Sequence, residues 1–187
     1  MKVVVIGDGK VGKTLIEHIS KEGHVVVVID KKPEVIEELV NKHDVMGICG
    51  NGASYLIQKN AGVTNADLVI AATSSDETNL LACFIAKKLG AKSTIARVRG
   101  YEYNNQTKIM MRDFGMSMIM QVSDIGYQNP DMLYFYGTVD GNKTQLIQHI
   151  SQLNFVLMVT KKEDFIARKD DILKGGDVIL LKASRIM

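Results

Sequence analysis

The chain has 187 residues, of which 46% are hydrophobic and 24% are charged. This is the composition of an ordinary folded protein, and it excludes a disordered chain. With 23 basic and 21 acidic residues the net charge is +2, and no basic cluster indicates a nucleic-acid partner. Apolar runs are far shorter than the roughly 20 residues that cross a bilayer, and no signal-peptide pattern precedes the first strand. We expect neither export nor membrane insertion.

Apolar runs of strand length alternate with segments of helical period. Three helical stripes are predicted, and the last one stops at Gly90, a residue typical of helix C-caps. Strands that are apolar on both faces and separated by single helices indicate a parallel sheet covered on both sides. The sequence therefore predicts an α/β fold with a doubly wound (Rossmann) parallel six-stranded sheet, whose strands lie at 2–6, 24–29, 45–49, 68–72, 94–98 and 118–120.

The pattern changes after about residue 123. We predict a first domain at 1–123, followed at 124–187 by a linker and a small, abbreviated α+β C-terminal subdomain. This tail is too short to bury much core of its own, so it is expected to pack on the first domain or on a second subunit. Its expected elements are an irregular or extended stretch at 131–139, a helix at 143–150 and short strands at 155–160, 165–168 and 178–182.

A glycine motif follows the first predicted strand, as Gly7-Asp8-Gly9-Lys10-Val11-Gly12. The first glycine permits a tight turn, the second lets the backbone approach a pyrophosphate, and the third lets the helix pack close to the strand. Unpaired backbone N–H groups at the start of the helix favour an anion there. We interpret this loop as a dinucleotide-binding fingerprint.

The ends of the other predicted strands add residues to the same crevice. Asp30 follows Gly12 by eighteen residues and is placed to accept from two ribose hydroxyls, which argues against a 2′-phosphate despite the neighbouring Lys31. Replacing Asp30 is expected to weaken nucleotide binding and to change the apo protein little. Gly50 and Asn51, after the third strand, are expected to leave room for an adenine, and Thr73 and Ser74, after the fourth, are expected to face the phosphates. At the fifth strand, alternation is expected to send Arg97 and Arg99 to opposite faces, and Arg97 is the one expected in the crevice. Ser75 and Asp76 either contact the ligand or cap the next helix.

A P-loop is an alternative interpretation, because Gly7, Gly12, Lys13 and Thr14 also satisfy GxxxxGK[ST]. A P-loop enzyme needs a second strand that ends in a metal-binding aspartate, whereas the fourth strand here ends in Thr73-Ser74-Ser75. The dinucleotide interpretation is favoured by this context and by Asp30.

Five stretches carry a resemblance to one known family: 5–12, 28–30, 50–54, 72–79, and 96–99 followed by Tyr103. On these stretches the sequence resembles the RCK domain of the TrkA and KtrA type, also called KTN, the cytosolic regulatory subunit of Trk/Ktr potassium uptake systems. The resemblance implies a subunit that binds NAD(H) or ATP/ADP and forms a homo-oligomer, as a dimer or a ring of dimers. It also implies a membrane-embedded potassium-translocating partner and a cytoplasmic position, peripheral at the inner face of the cell membrane.

The chain departs from this pattern at three places. The C-terminal part is abbreviated, and Val122-Ser123 stands where many relatives carry a Pro-Glu pair, so the glutamate-based cation site of the family is expected to be lost. Asp8 adds a negative charge near the phosphates, which Lys10 or Lys13 would offset.

Two other functions remain open. A nicotinamide-dependent oxidoreductase would use the same fingerprint, and Tyr55 and Lys59 match the YxxxK spacing, but they follow the third strand, whereas short-chain dehydrogenases place this pair after the fifth. The histidines lie away from the crevice, so no catalytic residue is assigned. The other alternative is a purely structural assembly module.

Overall fold

The computed structural model describes residues 1–103, 106–121, 133–139 and 156–159. Within these ranges the strands are β1 (Lys2–Ile6), β2 (Val25–Asp30), β3 (Met46–Cys49), β4 (Leu68–Ala71), β5 (Ser93–Arg97), β6 (Met118–Gln121), β7 (Leu133–Val139) and β8 (Val156–Val159). The helices are α1 (Lys10–Lys21), α2 (Pro33–Lys42), α3 (Tyr55–Asn60), α4 (Asp76–Leu89) and α5 (Thr107–Phe114).

All of these strands belong to one sheet, in the order β3-β2-β1-β4-β5-β6-β7-β8. The strands from β3 to β6 are paired in parallel throughout. Each of the six predicted strands has a counterpart among them, and the doubly wound parallel sheet is confirmed.

Alternate residues of β1 enter two separate cores. Val3 and Val5 pack with α1 and α2 on one side of the sheet, and Val4 and Ile6 pack with α4 and α5 on the other. Successive side chains of a strand point to opposite faces, so a strand covered on both sides must be apolar at every position. The predicted stripe of α1 faces the first core, where Val11, Leu15, Ile16 and Ile19 are all buried.

Helix α4 has a cap at each end, and both agree with its sequence. The Ser75 hydroxyl oxygen accepts from the backbone N–H of Thr78 at 3.1 Å, which satisfies one of the open donors of the first turn. Gly90 follows the last residue with φ of +112°, a conformation that favours glycine. The predicted end at Gly90 is confirmed, and Ser75 is the N-cap.

The described part of the tail extends the sheet. β7 pairs antiparallel with β6, and β8 pairs in parallel with β7. These strands fall in the predicted extended stretch at 131–139 and the predicted strand at 155–160. The helix expected at 143–150 and the strands expected at 165–168 and 178–182 lie outside the described residues, and the domain boundary at 123 stays a prediction. Among the described helices, none combines the length and apolar character needed to cross a bilayer.

Candidate functional site

A crevice lies where the strand order reverses. From β1 the chain continues to β2 on one side, whereas the strand on the other side of β1 is β4, which leads to β5. The helices α1 and α4 that follow β1 and β4 cover opposite faces of the sheet. The loops at the carboxyl ends of β1 and β4 therefore diverge, and this is where doubly wound folds bind their ligands.

The three glycines of the first loop differ in backbone conformation and in the space around them. Gly7 has φ of +95°, and a Cβ placed on it would lie 2.8 Å from Cα of Thr73. A Cβ on Gly12 would lie 2.0 Å from the carbonyl oxygen of Gly7. Gly9 differs, since its φ is −67° and the nearest atom to a Cβ there is the Ala72 carbonyl oxygen at 3.4 Å. The fold therefore requires glycine at positions 7 and 12. It does not require glycine at position 9, where the predicted approach of a pyrophosphate is the remaining reason for this residue.

Gly9 is also the N-cap of α1, and it has no side chain with which to cap the helix. The first backbone N–H groups of a helix have no acceptor within the helix, and the helix dipole places partial positive charge there. The residues predicted to line this terminus are exposed Lys10 and buried Val11. Because the Val11 side chain belongs to the core, its backbone N–H is the group that would meet a phosphate.

Asp30 ends β2 beside this loop. Its Oδ2 accepts from the backbone N–H of Asp8 at 3.0 Å, and its Oδ1 accepts from the backbone N–H of Lys32 at 3.0 Å. The position agrees with the ribose role, which stays a prediction. These two hydrogen bonds argue for a larger effect of replacing Asp30 on the apo protein than the sequence predicts, because its carboxylate ties together the loops that follow β1 and β2. The neighbouring Lys31 is exposed.

Asp8 carries the charge that departs from the family pattern. Burial raises the pKa of its carboxyl group above the ordinary value, the positive charge of Lys13 opposes this shift, and Asp30 adds to it. Among the described residues, its buried Oδ1 has no hydrogen-bond partner. When this carboxyl group is ionised it lowers the stability of the folded protein, because burial disfavours the charged form.

Lys13 and Thr14, the residues on which the P-loop interpretation depends, both contact other protein groups. The Lys13 ammonium lies 3.3 Å from Oε1 of Glu38, which belongs to α2. The Thr14 hydroxyl donates to the carbonyl oxygen of Lys10 at 3.0 Å, within its own helix. These contacts support the interpretation of both residues as ordinary residues of α1.

The loop after β3 adjoins the end of β2. The backbone N–H of Gly50 donates to the carbonyl oxygen of Asp30 at 2.7 Å. Asn51 is exposed, and its Oδ1 accepts from the backbone N–H of Ala53 at 3.1 Å. Asn51 thus stabilises its own turn, while contact with an adenine stays a prediction for Gly50 and Asn51.

The ends of β4 and β5 supply the other predicted residues. Thr73 is half-buried below Gly7, and its hydroxyl donates to Asn79 Oδ1 at 2.7 Å, with Ser75 O as a second acceptor at 3.1 Å. This hydroxyl is therefore bonded to other groups of the protein. Ser74 is exposed at the crevice edge, and Arg97 is the half-buried last residue of β5. Contact of Thr73, Ser74 and Arg97 with phosphates stays a prediction.

Arg99 was considered in the sequence analysis, but Arg97 was chosen in its place. The guanidinium of Arg99 donates to the carbonyl oxygen of Ser74, so it reaches the same crevice edge. The argument that strand alternation sends Arg97 and Arg99 to opposite faces was wrong, since residues two apart in an extended chain point to the same side. Asp76 reinforces this arrangement, because its Oδ2 accepts from the backbone N–H groups of Arg99 at 2.7 Å and Gly100 at 2.6 Å.

Two buried amides were missed by the sequence analysis. Gln58 donates from Nε2 to the carbonyl oxygens of Gly52 at 2.7 Å and Ala82 at 2.9 Å, and so holds the loop after β3 against α4. Asn79 lies beneath Thr73. No sequence pattern marks these residues as buried, because each is a single polar side chain within an otherwise ordinary helix.

Two groups of known proteins are similar to this chain. The Trk system potassium uptake protein TrkA of Halomonas elongata is 38% identical over 104 residues, which are 55% of this chain and 23% of that protein. The TrkA homolog of Methanothermobacter thermautotrophicus is 34% identical over 108 residues, 58% of this chain and 50% of that protein. The matched region therefore spans half or less of the length of these relatives.

Solved structures show the same fold at low identity. The GsuK channel bound to NAD has a TM-score of 0.54 at 19% identity, with 63% of this chain and 21% of that chain covered. The TrkA-N domain of the inner membrane protein ybaL from Escherichia coli has a TM-score of 0.57 at 21% identity, covering 64% and 86%. The Kef C-terminal domain of Shewanella denitrificans, in its AMP-bound form, has a TM-score of 0.55 at 18% identity, covering 70% and 77%.

Two family models match the chain. One, described as a family of unknown function (DUF6173), matches residues 81–173. The other, described as the TrkA-N domain, matches residues 3–121, which is more than half of the chain and contains the whole crevice. The chain belongs to the TrkA-N domain family.

Proposed function

We propose that this chain is a nucleotide-sensing regulatory subunit of a potassium uptake system. It binds NAD(H) or ATP/ADP in the crevice at the ends of β1 and β4 and gates a membrane-embedded potassium-translocating partner. The observation that carries this proposal is the joint placement of the Gly9 N-cap and Asp30 in a chain of the TrkA-N family. One supplies an open anion site, and the other supplies a carboxylate for ribose hydroxyls.

The ligand class is supported by the site and by the relatives of the fold. Solved neighbours are described as bound to NAD, ADP or AMP, ligands that share an adenosine and a phosphate. In this chain the Asp30 carboxylate and the neighbouring Asp8 would repel a phosphate at the ribose 2′ position. We therefore propose NAD(H) or ATP/ADP and not NADP.

A regulatory role is favoured over a NAD-dependent oxidoreductase. The Tyr55 side chain is on the surface of α3, 58% exposed, and it follows the third strand. Tyr103 donates its hydroxyl to Glu77 Oε1 at 2.6 Å, and this hydrogen bond raises the pKa of Tyr103 to about 12. Such a tyrosine is a poor proton carrier at neutral pH, because an efficient acid–base group has a pKa near the working pH.

Self-association through the first domain is supported by exposed apolar side chains. Leu81 on α4 is 49% exposed and Ile109 on α5 is 54% exposed, while an edge-on contact of Phe84 with Phe114 joins the two helices. Apolar side chains grouped on neighbouring helices are typical of protein interfaces. We propose a homo-oligomer, a dimer or a ring of dimers, that lies in the cytoplasm at the inner face of the membrane.

A thermal-unfolding panel with NAD, NADH, ATP, ADP and AMP tests nucleotide binding. A ligand at 100 times its dissociation constant that binds only the native state adds about 2.7 kcal/mol of stability. We expect such a shift without turnover of the nucleotide. Sustained NADH oxidation with a small substrate would instead support the oxidoreductase, and no shift with any nucleotide would favour a purely structural module.

Two further measurements test the partner and the assembly. Co-purification with a membrane-embedded potassium-translocating subunit, and potassium flux that changes with the bound nucleotide, are the expected results. Light scattering is expected to show an oligomer that Leu81→Glu weakens, while Lys21→Glu, an exposed change on α1 at the opposite face of the sheet, serves as the control. A monomer at micromolar concentration, with and without nucleotide, would contradict the assembly.

A further inference from the structure

The side-chain amide of Asn79 is fully buried in the first turns of α4. Its Oδ1 accepts from the backbone N–H of Thr73 at 2.8 Å and from the Thr73 hydroxyl at 2.7 Å. Its Nδ2 donates to the carbonyl oxygens of Thr73 at 3.3 Å and Arg97 at 2.8 Å. Both acceptor sites of the oxygen and both N–H groups are therefore used.

These bonds join β4 to β5 beyond the point where the sheet does so. The last β4–β5 pair is Ala71 with Ala96, so Thr73 and Arg97 lie past the end of that ladder. The side-chain amide of Asn79 thus connects Thr73 to Arg97 where the two strands no longer pair with each other. Asparagine suits this position because aspartate lacks the two donors and glutamine is longer by one carbon.

The residues that Asn79 holds are those that meet the glycine loop. Thr73 Cα would lie 2.8 Å from a Cβ on Gly7, so the backbone of Thr73 packs directly against that loop. A small displacement of Thr73 would push Gly7 and, through the Gly7 carbonyl beside Gly12, the start of α1. The phosphate end of the crevice thus depends on where Thr73 is held, whereas the predicted adenine contacts lie on the loop after β3.

We propose that Asn79 is the positioning residue of the phosphate half of the nucleotide site, acting through Thr73 and Arg97. This inference rests on the nucleotide site proposed above and adds that its phosphate half is positioned separately from the rest of the site. Loss of the amide weakens the binding of a ligand more strongly when the ligand places more phosphate groups in this half of the site. Adenosine, which has no phosphate, is affected much less than ADP.

The test compares ADP with adenosine in calorimetric or competition titrations. The variants are Asn79→Leu, which removes all four bonds with similar volume, and Asn79→Asp, which keeps the acceptors and removes the donors. Thr94→Val is the matched control. Thr94 is fully buried near the start of β5, at the opposite end of this strand from Arg97, and its hydroxyl oxygen accepts from the backbone N–H of Ser117 at 3.4 Å.

For both Asn79 variants we expect at least about tenfold weaker ADP binding and a change of less than about threefold for adenosine. Thr94→Val is expected to lower the melting temperature and to leave both affinities unchanged. If the Asn79 variants weaken both ligands equally, or neither, Asn79 is structural only and the inference is overturned. If the wild-type protein binds neither ligand, the proposed function fails as well, so the two failures are distinguishable.

Hydrogen exchange on the wild-type protein keeps the test decisive if the Asn79 variants do not fold. The Thr73 N–H donates to a buried acceptor, so it should exchange slowly in the apo protein. ADP should slow it further, whereas adenosine should not. Exchange at the rate of an exposed loop amide, or equal protection by both ligands, would overturn the inference.

Discussion

The backbone N–H of Asp8 donates to Oδ2 of Asp30 at 3.0 Å, so the glycine loop is fastened to the end of β2 by the carboxylate predicted to hold the ribose. Its other oxygen accepts from the backbone N–H of Lys32 at 3.0 Å. One group therefore has two tasks. It fixes the position of the loops that follow β1 and β2, and its remaining lone pairs are the ones that we propose for the ribose hydroxyls.

Asp30→Ala is expected to weaken nucleotide binding about tenfold to hundredfold, because hydrogen bonds to a charged acceptor contribute about 1.5 to 3 kcal/mol. The apo protein should lose about 1 kcal/mol, since two backbone donors lose their acceptor but can reach water at this half-buried site. Calorimetric titration and urea unfolding measure the two effects. Asp44→Ala, at an exposed position after α2, is the control. Wild-type affinity in Asp30→Ala would show that the ribose binds elsewhere.

The parallel sheet and the chain positions of the candidate site follow from the sequence, because hydrophobic periodicity reports burial on each face. Glycine spacing likewise identifies the turn after β1. The side-chain contacts at the crevice do not follow from it. Asn79 and Asp76 form their hydrogen bonds with residues about twenty positions away, such as Arg97 and Arg99, and no local pattern encodes such a pairing. The error about the two arginines had a simpler cause, which was a wrong count of strand alternation.

Asp8→Asn tests the effect of the buried carboxyl on stability. Burial raises the pKa of Asp8 above the ordinary 3.8, so the folded protein holds this proton more tightly than the unfolded chain does. The stability from this group is fully present below the ordinary pKa and is lost as the pH rises through the raised folded pKa. Asparagine resembles the protonated form. Asp8→Asn should therefore match the wild type in acid and become the more stable protein as the pH rises toward neutral.

Thermal unfolding between acid and neutral pH measures this difference. Asp113→Asn is the control of opposite sign, because a hydrogen bond from Arg112 lowers the pKa of that exposed carboxyl. At neutral pH, Asp8→Asn should also bind ADP more tightly, since one negative charge beside the phosphates is removed. A pH-independent difference between Asp8→Asn and the wild type would contradict the role of burial.

Lys13→Ala distinguishes the dinucleotide site from a P-loop. Lys13 lies 3.3 Å from Glu38 on α2, with its side chain 49% exposed, so its removal should cost little stability. We expect ADP and ATP affinities within about threefold of wild type, with and without Mg²⁺, a change of less than about 0.7 kcal/mol. A P-loop lysine would behave differently, because it contacts the β- and γ-phosphates directly. Loss of ATP binding or of ATP hydrolysis in Lys13→Ala would establish the P-loop interpretation.

Gly9→Ala and Gly12→Ala separate the ligand's need for glycine from that of the fold. Gly9 has φ of −67°, and its added methyl would lie 3.4 Å from the Ala72 carbonyl oxygen, a contact that requires little adjustment. Apo stability should therefore change by no more than about 0.5 kcal/mol. The methyl would stand on the exposed face of the helix N-terminus, where a pyrophosphate must approach the backbone, so ADP binding should weaken at least about tenfold.

Gly12→Ala should behave in the opposite way, because its methyl would lie 2.0 Å from the Gly7 carbonyl oxygen, which is backbone and cannot move aside alone. Overpacking of this kind costs about 1–3 kcal/mol, or more, in the apo protein. Gly23→Ala is the control for backbone strain, since φ there is +73° and no atom lies within 4 Å of an added Cβ. Thermal unfolding of the apo variants and ADP titration of those that fold measure both effects. Wild-type ADP affinity in Gly9→Ala would mean that no phosphate approaches the start of α1, and the proposed site would be wrong.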